Sequence, residues 1–235
     1  MTIIYKSDTC KIKKLEKEYK FIYENGEKFV NFYKKIKKNI PIESEKKDKT
    51  FSIKANKIES LSDLLKRKET LSYRHLTQLF LNIGKQLEGL EKDGYCNLFL
   101  NNNDIVRVEL ETTIQKGGSG TDVFFLYLNT INFMPINNNN TKLLKPFDKN
   151  NRLISPEMKK LTSFPTEINI NSQLYSLALL VCFCGEWYKK PKSFKIKYSI
   201  DTFREYLSNI DNTKLYWSLL RCLKDDPNDR IFLYI

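Results

Sequence analysis

The chain reads LISPE at Leu153–Glu157 and RCLKDDPNDR at Arg221–Arg230. The first stretch closes a polar loop that runs from Asn137 to Arg152, and the second overlaps the end of a helical pattern at Leu215–Leu223. Another helical pattern, Leu174–Phe183, lies between them. The order of a Ser-Pro-Glu motif, a helix and a Cys-Leu-x-x-Asp-Pro-x-x-Arg motif is the most specific arrangement in the sequence.

The composition is typical of a globular protein. The 235 residues suffice for one or two ordinary domains with a sizeable core, and 41% of them are hydrophobic. No apolar run approaches about eighteen residues, and charges follow the short apolar start Met1–Tyr5, unlike a secretory signal. We therefore expect a soluble cytoplasmic protein without a membrane partner.

The five cysteines do not form a recognisable site. Their number is odd, and their spacing matches neither a disulfide framework nor a zinc site. Cys182 and Cys184 lie within an apolar run, where free cysteine behaves as a small hydrophobic residue. We predict buried thiols and, from them, a reducing intracellular compartment.

The formal net charge is +12, and most of it lies in residues 1–92. Such a charge attracts acidic partners, so the sequence leaves a nucleic-acid-binding module open. Lysine, asparagine and isoleucine are all abundant, as an AT-rich coding sequence would produce. The composition therefore favours a solvated basic surface over a nucleic-acid site.

The N-terminal part predicts a mixture of strands and one helix. Ile3–Tyr5 reads as a short strand, and Lys11–Tyr23 has apolar residues at the three- and four-residue spacing of a helix. Alternating patterns predict strands at Phe29–Ile36 and Thr50–Ala55, with a charged loop at Pro41–Lys49.

Helical patterns dominate from Leu61 onward. A long helix is predicted over Tyr73–Leu90, with Asp93-Gly94 as its stop signal, and a further helical pattern lies at Phe203–Ile210. The change of pattern places a boundary near residue 57, between segments 1–56 and 57–235.

One β-hairpin interrupts the helical part. Ile105–Leu110 and Val123–Phe133 read as its strands, with the glycine-rich stretch Gly117–Gly120 between them. These glycines lack the following lysine and Ser/Thr of a phosphate-binding P-loop, so we interpret them as a turn.

Taken in order, these elements and motifs resemble a protein kinase domain. The Ser-Pro-Glu motif, the YSL of Tyr175–Leu177 and the motif that ends at Arg230 are similar to the C-terminal lobe of that family. The resemblance implies an α+β, two-lobed fold, with a truncated N-lobe of few strands and one helix in 1–56 and a mainly helical C-lobe in 57–235. It also implies a buried ion pair between Glu157 and Arg230. The stretch Asn212–Leu223 and the composition are similar to kinase-like proteins of large DNA viruses.

The catalytic loop of kinases, His-Arg-Asp-Leu-x-x-x-Asn-Ile, aligns without a gap to NLFLNNNDI at Asn97–Ile105. Phe99 takes the place of the aspartate that accepts the substrate hydroxyl proton, which phenylalanine cannot do. Asp104 takes the place of the metal-binding asparagine, and a carboxylate there is able to bind magnesium.

The other positions that the resemblance marks as chemical are also altered. Asn132 replaces the metal-binding aspartate of Asp-Phe-Gly, and Gln173 replaces the aspartate that braces the catalytic loop. Lys6 resembles the phosphate-binding lysine and Glu18 the helix glutamate that orients it. The glycine-rich loop has no counterpart, so we expect no cofactor, and any binding of ATP and Mg²⁺ is expected to be weak.

The sequence therefore predicts a pseudokinase, which is a kinase-like protein without phosphoryl transfer that acts by binding another protein, with a viral regulatory or assembly role. One alternative is an atypical active Ser/Thr kinase in which Asp104, Glu109 or Glu111 supplies displaced metal ligands. The basic nucleic-acid-binding module is the second alternative.

Overall fold

The computed structural model describes residues 2–16, 18–24, 44–47, 49–110, 122–185 and 200–235, with backbone alone for 44–47. The strands are β1 (Thr2–Lys6), β2 (Cys10–Lys14), β3 (Tyr19–Tyr23), β4 (Ser44–Lys47), β5 (Thr50–Ile53), β6 (Lys57–Ser60), β7 (Tyr95–Cys96), β8 (Ile105–Glu109), β9 (Val123–Tyr127), β10 (Met134–Pro135), β11 (Asn140–Leu143) and β12 (Thr166–Asn169). The helices are α1 (Leu61–Lys66), α2 (Tyr73–Lys92), α3 (Pro156–Lys159), α4 (Ser172–Cys184), α5 (Ile200–Tyr206) and α6 (Lys214–Cys222).

The chain forms two compact units that interleave along the sequence. Unit 1 consists of Met1–Glu69 and Asn102–Ile131, and unit 2 consists of Thr70–Asn101 and Asn132–Ile235. The described residues are α+β, as predicted. We predicted two consecutive segments that meet near residue 57, but β6 pairs with β8, so residues beyond 57 contribute to unit 1.

Unit 1 contains a five-stranded antiparallel sheet in the order β1-β2-β3-β5-β4. One face of β2, β3 and β5 is buried and aromatic. On this face Phe21 of β3 lies opposite Phe51 of β5, and their rings stack with centroids 4.4 Å apart. Cross-strand aromatic pairs of this kind are a main source of sheet stability.

The strands β2 and β3 correct the prediction of a helix over Lys11–Tyr23. Burial alternates in both strands, and the inward residues are Cys10, Ile12, Tyr19, Phe21 and Tyr23. The prediction was wrong because two short strands separated by a turn place their apolar residues at near-helical spacing, although the local period is two. The backbone N–H of Leu15 donates to the carbonyl of Glu18 at 2.8 Å and closes that turn.

A second, three-stranded sheet in unit 1 has the order β6-β8-β9. The antiparallel pairing of β8 with β9 confirms the predicted hairpin, although Gly117–Gly120 lies outside the described residues. The helix α1 follows β6 directly, and the hydroxyl of Ser60 caps it by accepting from the N–H of Asp63 at 3.0 Å.

Unit 2 is built around α2 and α4, which pack against each other. The helix α2 confirms the prediction over Tyr73–Leu90: Ser72 caps its start, and it ends at Asp93. Gly94 follows with a φ of 80°, a left-handed conformation that favours glycine after a helix. The helix α4 is buried on nearly all sides, which explains its almost wholly apolar sequence.

The remaining predicted elements are recovered with small changes. The predicted helix Phe203–Ile210 is divided into α5 and a 3₁₀ turn at Ser208–Ile210, and Leu215–Leu223 corresponds to α6. The strands Ile3–Tyr5 and Thr50–Ala55 correspond to β1 and β5. The predicted strand Phe29–Ile36 lies outside the described residues.

All five cysteines are free and buried, as predicted. Burial raises the pKa of the Cys96 and Cys222 thiols to about 12, so these sulfurs remain protonated and unreactive at neutral pH. Among the described residues, no helix is both long and apolar enough to cross a bilayer.

The segment Ile231–Ile235 contacts α2 through two aromatic side chains, Phe232 and Tyr234. The ring of Phe232 contacts Phe80, with centroids 5.1 Å apart, and covers Gly84 so closely that a methyl group at this glycine would enter the ring. Tyr234 donates a hydrogen bond to Glu88 one turn further along the helix. Gly84 therefore provides the space into which Phe232 fits.

We predict that Gly84→Ala destabilises the protein by about 1–3 kcal/mol, because the added methyl group overpacks against Phe232. Gly89→Ala in the same helix is the matched control, since nothing lies within 4 Å of its added carbon. That variant should gain about 0.5–1 kcal/mol from helix propensity. Chemical denaturation measures both, and an equal gain for the two variants would contradict the packing of Phe232 on Gly84.

Candidate functional site

The structure brings Glu157 and Arg230 together in unit 2. Glu157 lies in the first turn of α3, and Arg230 follows the 3₁₀ turn Pro227–Asp229. Nη1 of Arg230 donates to Oε1 of Glu157 at 2.5 Å, and Nη2 donates to Oε2 at 2.9 Å. The pair is bidentate, which is the strong geometry for a guanidinium and a carboxylate.

Further hydrogen bonds satisfy the rest of this ion pair. Nε of Arg230 donates to the carbonyl of Lys224 at 2.7 Å, and Nη2 donates to the carbonyl of Asp225 at 3.0 Å. The hydroxyl of Ser172, the first residue of α4, donates to Glu157 at 2.6 Å. The guanidinium also lies 4.8 Å from the ring centre of Tyr175. The pair therefore links α3, α4 and the segment Lys224–Arg230.

The charge state of Glu157 follows from two opposing effects. Burial raises its pKa, but the hydrogen bonds and charge of Arg230 outweigh burial, so the pKa lies below the ordinary value of 4.5. A lowered pKa in the folded state means that the ionised carboxylate stabilises the fold above that pH. The contribution is lost as the pH falls through the folded-state pKa.

The loop in which we predicted a counterpart of the kinase catalytic loop begins directly after β7. Its first residue, Asn97, is fully buried, and its backbone N–H donates to Oε1 of Gln173 at 3.1 Å. Nε2 of Gln173 donates to Oε1 of Glu91 on α2 at 2.6 Å. The amide of Gln173 therefore connects α4, the loop and α2.

Glu91 is the acidic member of this connection. Burial raises its pKa, while the hydrogen bond from Gln173 acts in the opposite direction. The side-chain oxygen of Asn97 accepts from the N–H of Phe99 at 3.1 Å, which fixes the orientation of the Asn97 amide. Its Nδ2 is buried and has no hydrogen-bond acceptor among the described residues.

Phe99 packs into an apolar cluster in unit 2. Its ring centre lies 5.2 Å from that of Phe147, and Phe147 lies 6.0 Å edge-on from Phe164. The buried core behind these rings includes Leu98 and Met158. Phe99, which we predicted in place of the kinase aspartate, is therefore partly buried against an apolar cluster.

Asn132 also belongs to unit 2 and lies partly buried in a turn just before β10. The strand β10 pairs with β7, so the segment of Asn132 and the loop of Asn97 leave the same two-stranded sheet. Phe99, Asn132 and Gln173 are thus in one unit.

Asp104 lies in unit 1, within the 3₁₀ turn before β8. The amide Nδ2 of Asn129 donates to its Oδ2 at 3.1 Å. Burial raises the pKa of Asp104, the amide of Asn129 opposes this, and the charge of Asp8 raises the pKa further. A carboxylate in this environment has an increased tendency to hold a proton.

Lys6 and Glu18 lie in unit 1 as well. Lys6 is exposed at the end of β1, and Glu18 is in the turn before β3. The predicted role of Glu18 required a helix, and the structure places Glu18 directly before β3 instead, so the helix is corrected. The lysine on the third strand of unit 1 is Lys20.

Two alternative metal ligands were predicted at Glu109 and Glu111. Glu109 is bound by the guanidinium of Arg107, and Glu111 lies outside the described residues. Within the described ranges, no cluster of three or more His, Cys, Asp or Glu side chains could hold a metal ion.

The sequence did not reveal the partners Glu91 and Asn129. Each lies far along the chain from the residue that it contacts, and glutamate or asparagine on a polar stretch gives no signal of its own.

No protein-family model matches this chain, and no curated protein matches its sequence.

We predict that Arg230→Ala costs about 3 kcal/mol, the lower end for loss of one member of a buried ion pair, because the carboxylate of Glu157 loses its partner but is 23% exposed. Arg204→Ala is the matched control. Arg204 pairs with Asp201 at 3.0 Å, but both side chains are more than half exposed. This control should lose at most about 1 kcal/mol. Equal melting temperatures for the two variants would contradict a stabilising role of the buried pair.

We predict that Gln173→Glu is destabilising at neutral pH by about 1–3 kcal/mol. Its carboxylate would face that of Glu91, so the pair would share a proton, and its folded-state pKa would be raised. Stability is therefore retained below the unfolded-state pKa and lost as the pH rises through the folded-state pKa. Urea denaturation between about pH 4 and pH 7 measures the effect.

The double variant Glu91→Gln with Gln173→Glu is the control for this prediction. It restores one amide and one carboxylate, and Glu at position 173 is still able to accept from the N–H of Asn97. The double variant should recover most of the stability at neutral pH. A double variant that is less stable than Gln173→Glu alone would show that the hydrogen-bonded connection is unimportant.

Proposed function

We propose that this chain is a pseudokinase, a kinase-like protein that does not transfer phosphate and that acts by binding another protein. The proposal rests on the motifs from Glu157 to Arg230 and on the residues that replace the catalytic carboxylates. We further propose that it functions in a reducing intracellular compartment, in agreement with five free thiols, and that its role is viral regulation or assembly.

The observation that supports the absence of transfer most directly is the packing of Phe99. Its ring contacts Phe147, which in turn contacts Phe164. A catalytic carboxylate must reach a substrate hydroxyl by a hydrogen bond. Phe99 has no group for this purpose, and its surroundings are apolar.

The hydrogen bonds of Gln173 support a loop that keeps its position without a charge. An aspartate here would accept two hydrogen bonds, whereas the glutamine accepts from the backbone of Asn97 and donates to Glu91. The amide therefore satisfies both neighbours. Maintenance of the loop is compatible with a role in folding and binding that is independent of catalysis.

The alternative of an active kinase with displaced metal ligands receives less support. Glu109 is occupied by Arg107. Asp104 has a raised pKa and a single amide partner, Asn129. Magnesium requires several oxygen ligands at short distance in near-octahedral geometry. Neither carboxylate is prepared for that role.

We predict that millimolar ATP, with or without Mg²⁺ or Mn²⁺, shifts the unfolding free energy by less than about 0.4 kcal/mol, the value for a ligand at its dissociation constant. Thermal unfolding measures this shift. In parallel, labelled ATP and a generic protein substrate should yield no transferred phosphate.

Asp104→Asn distinguishes a genuine activity from a contaminating kinase in that assay, because a contaminant is unaffected by any substitution in this chain, and Phe99→Ala is tested beside it. Because Phe99 is not catalytic in our proposal, this variant should be as inactive as the parent protein. A metal-dependent transfer that persists in Phe99→Ala and is lost in Asp104→Asn would instead establish the active alternative.

A further inference from the structure

The outer face of the five-stranded sheet in unit 1 carries a set of lysines in adjacent strands. Lys13 of β2 lies directly opposite Lys20 of β3, and Lys6 of β1 lies directly opposite Lys11 of β2. We call Lys6, Lys11, Lys13 and Lys20 the lysine face. Opposite residues in an antiparallel pair have their side chains on the same side of the sheet, about 5 Å apart.

Burial fixes which way these lysines point. Their neighbours in β2 and β3, which are Ile12, Tyr19 and Phe21, are at most 3% exposed and form the inner face. Because side chains alternate along a strand, the residues between them must face outward. A shift of register by one residue would place lysines in the aromatic core, so the arrangement is firmly determined.

The like charges of the lysine face lower the stability of the sheet, and the fold does not require them. Like charges directly opposite each other in a sheet are destabilising. Lys11 is neutralised by Glu24 at 3.0 Å. The structure gives no ion pair within the described residues to Lys6, Lys13 or Lys20. Two of the three lie opposite each other, so the strand pairing tolerates a repulsion that a single acidic residue would remove.

We propose that the lysine face binds the phosphate backbone of a double-stranded nucleic acid. Lysine is a flexible point charge, suited to phosphate contacts that do not depend on base sequence. The remaining described outward residues of β1, β2, β3 and β5 are Ile3, Ile22, Thr50 and Ser52. None of these described residues is aromatic, so this part of the face offers no platform on which the bases of a single strand could stack.

An acidic protein fits this face less well. Lysine is depleted in protein–protein interfaces relative to the rest of the surface, whereas contacts to phosphate oxygens account for most protein–DNA hydrogen bonds. The overall charge of +12 adds long-range attraction for a polyanion. Lys6 also belongs to the kinase-like positions, but Lys11, Lys13 and Lys20 lie outside them, so binding of a duplex does not depend on the proposed pseudokinase function.

The test is fluorescence anisotropy of a labelled DNA duplex of about 20 base pairs, two helical turns, titrated with the full chain at several salt concentrations. The triple variant Lys6→Gln, Lys13→Gln and Lys20→Gln should bind several-fold more weakly. The slope of log K against log salt should become shallower by about 3, close to one unit for each lost phosphate contact.

The matched control is Lys142→Gln, Lys145→Gln and Lys224→Gln, which removes the same charge from exposed lysines of unit 2. It should retain the parent slope. An equal reduction in both triple variants would overturn the proposal, because binding would then follow net charge alone. Binding to poly-glutamate or to anionic vesicles, with none to the duplex, would overturn it as well.

Lys13→Glu separates binding from folding. The new carboxylate would lie opposite Lys20, so the melting temperature should rise by about 1–3 °C while the affinity for the duplex falls. A variant that binds the duplex as tightly as the parent protein would contradict the proposal, whatever its stability.

Discussion

The guanidinium of Arg230 is the charge on which unit 2 depends. Arginine does not lose its proton in proteins, so its burial requires a partner that remains ionised and acceptors for its other donors. Glu157 supplies the first, and the carbonyls of Lys224 and Asp225 supply the second. Because Glu157 also accepts from Ser172, the N-terminus of α4 is fixed by the same charge. One ion pair thus sets the positions of α3, α4 and the segment before Phe232.

The second set of interior contacts in unit 2 is made by a neutral amide and not by a second buried charge. Gln173, on the first turn of α4, connects the backbone of Asn97 with Glu91. The ion pair and this amide lie on the same helix, so the start of α4 organises both the loop and the segment Lys224–Arg230. An amide both donates and accepts, which permits a partly buried carboxylate on one side and a peptide N–H on the other. Arg230 is therefore the one fully buried guanidinium among the described residues of unit 2.

The sequence predicted long periodic elements well and short ones poorly. The helix α2 has five turns with a buried stripe, a serine cap and an Asp-Gly end, and these signals all agree. The strands β2 and β3 have five residues each, and within such a length apolar residues at positions 12, 15, 19 and 22 fit a helix equally well. The ion pair was foreseen because the order and spacing of its two motifs resemble those of a kinase C-terminal lobe, which implied it. The link from Gln173 to Glu91 was not, since contacts between residues 82 positions apart leave no trace in a single sequence.

Whether Lys11–Tyr23 forms a helix or two strands also decides where its lysine charges lie. On a helix, Lys11 and Lys14 would lie on one side, one turn apart. Lys13 and Lys20, which are seven residues apart, would share a face but lie two turns apart along the helix. In the observed register Lys13 and Lys20 are cross-strand neighbours, and Lys6 joins the same face through β1. The lysine charges of this segment are therefore distributed differently in the two conformations. A helix would spread it along a solvated side, whereas the sheet concentrates it on one surface against its own repulsion, and a surface that retains such a repulsion is best explained by an anionic partner.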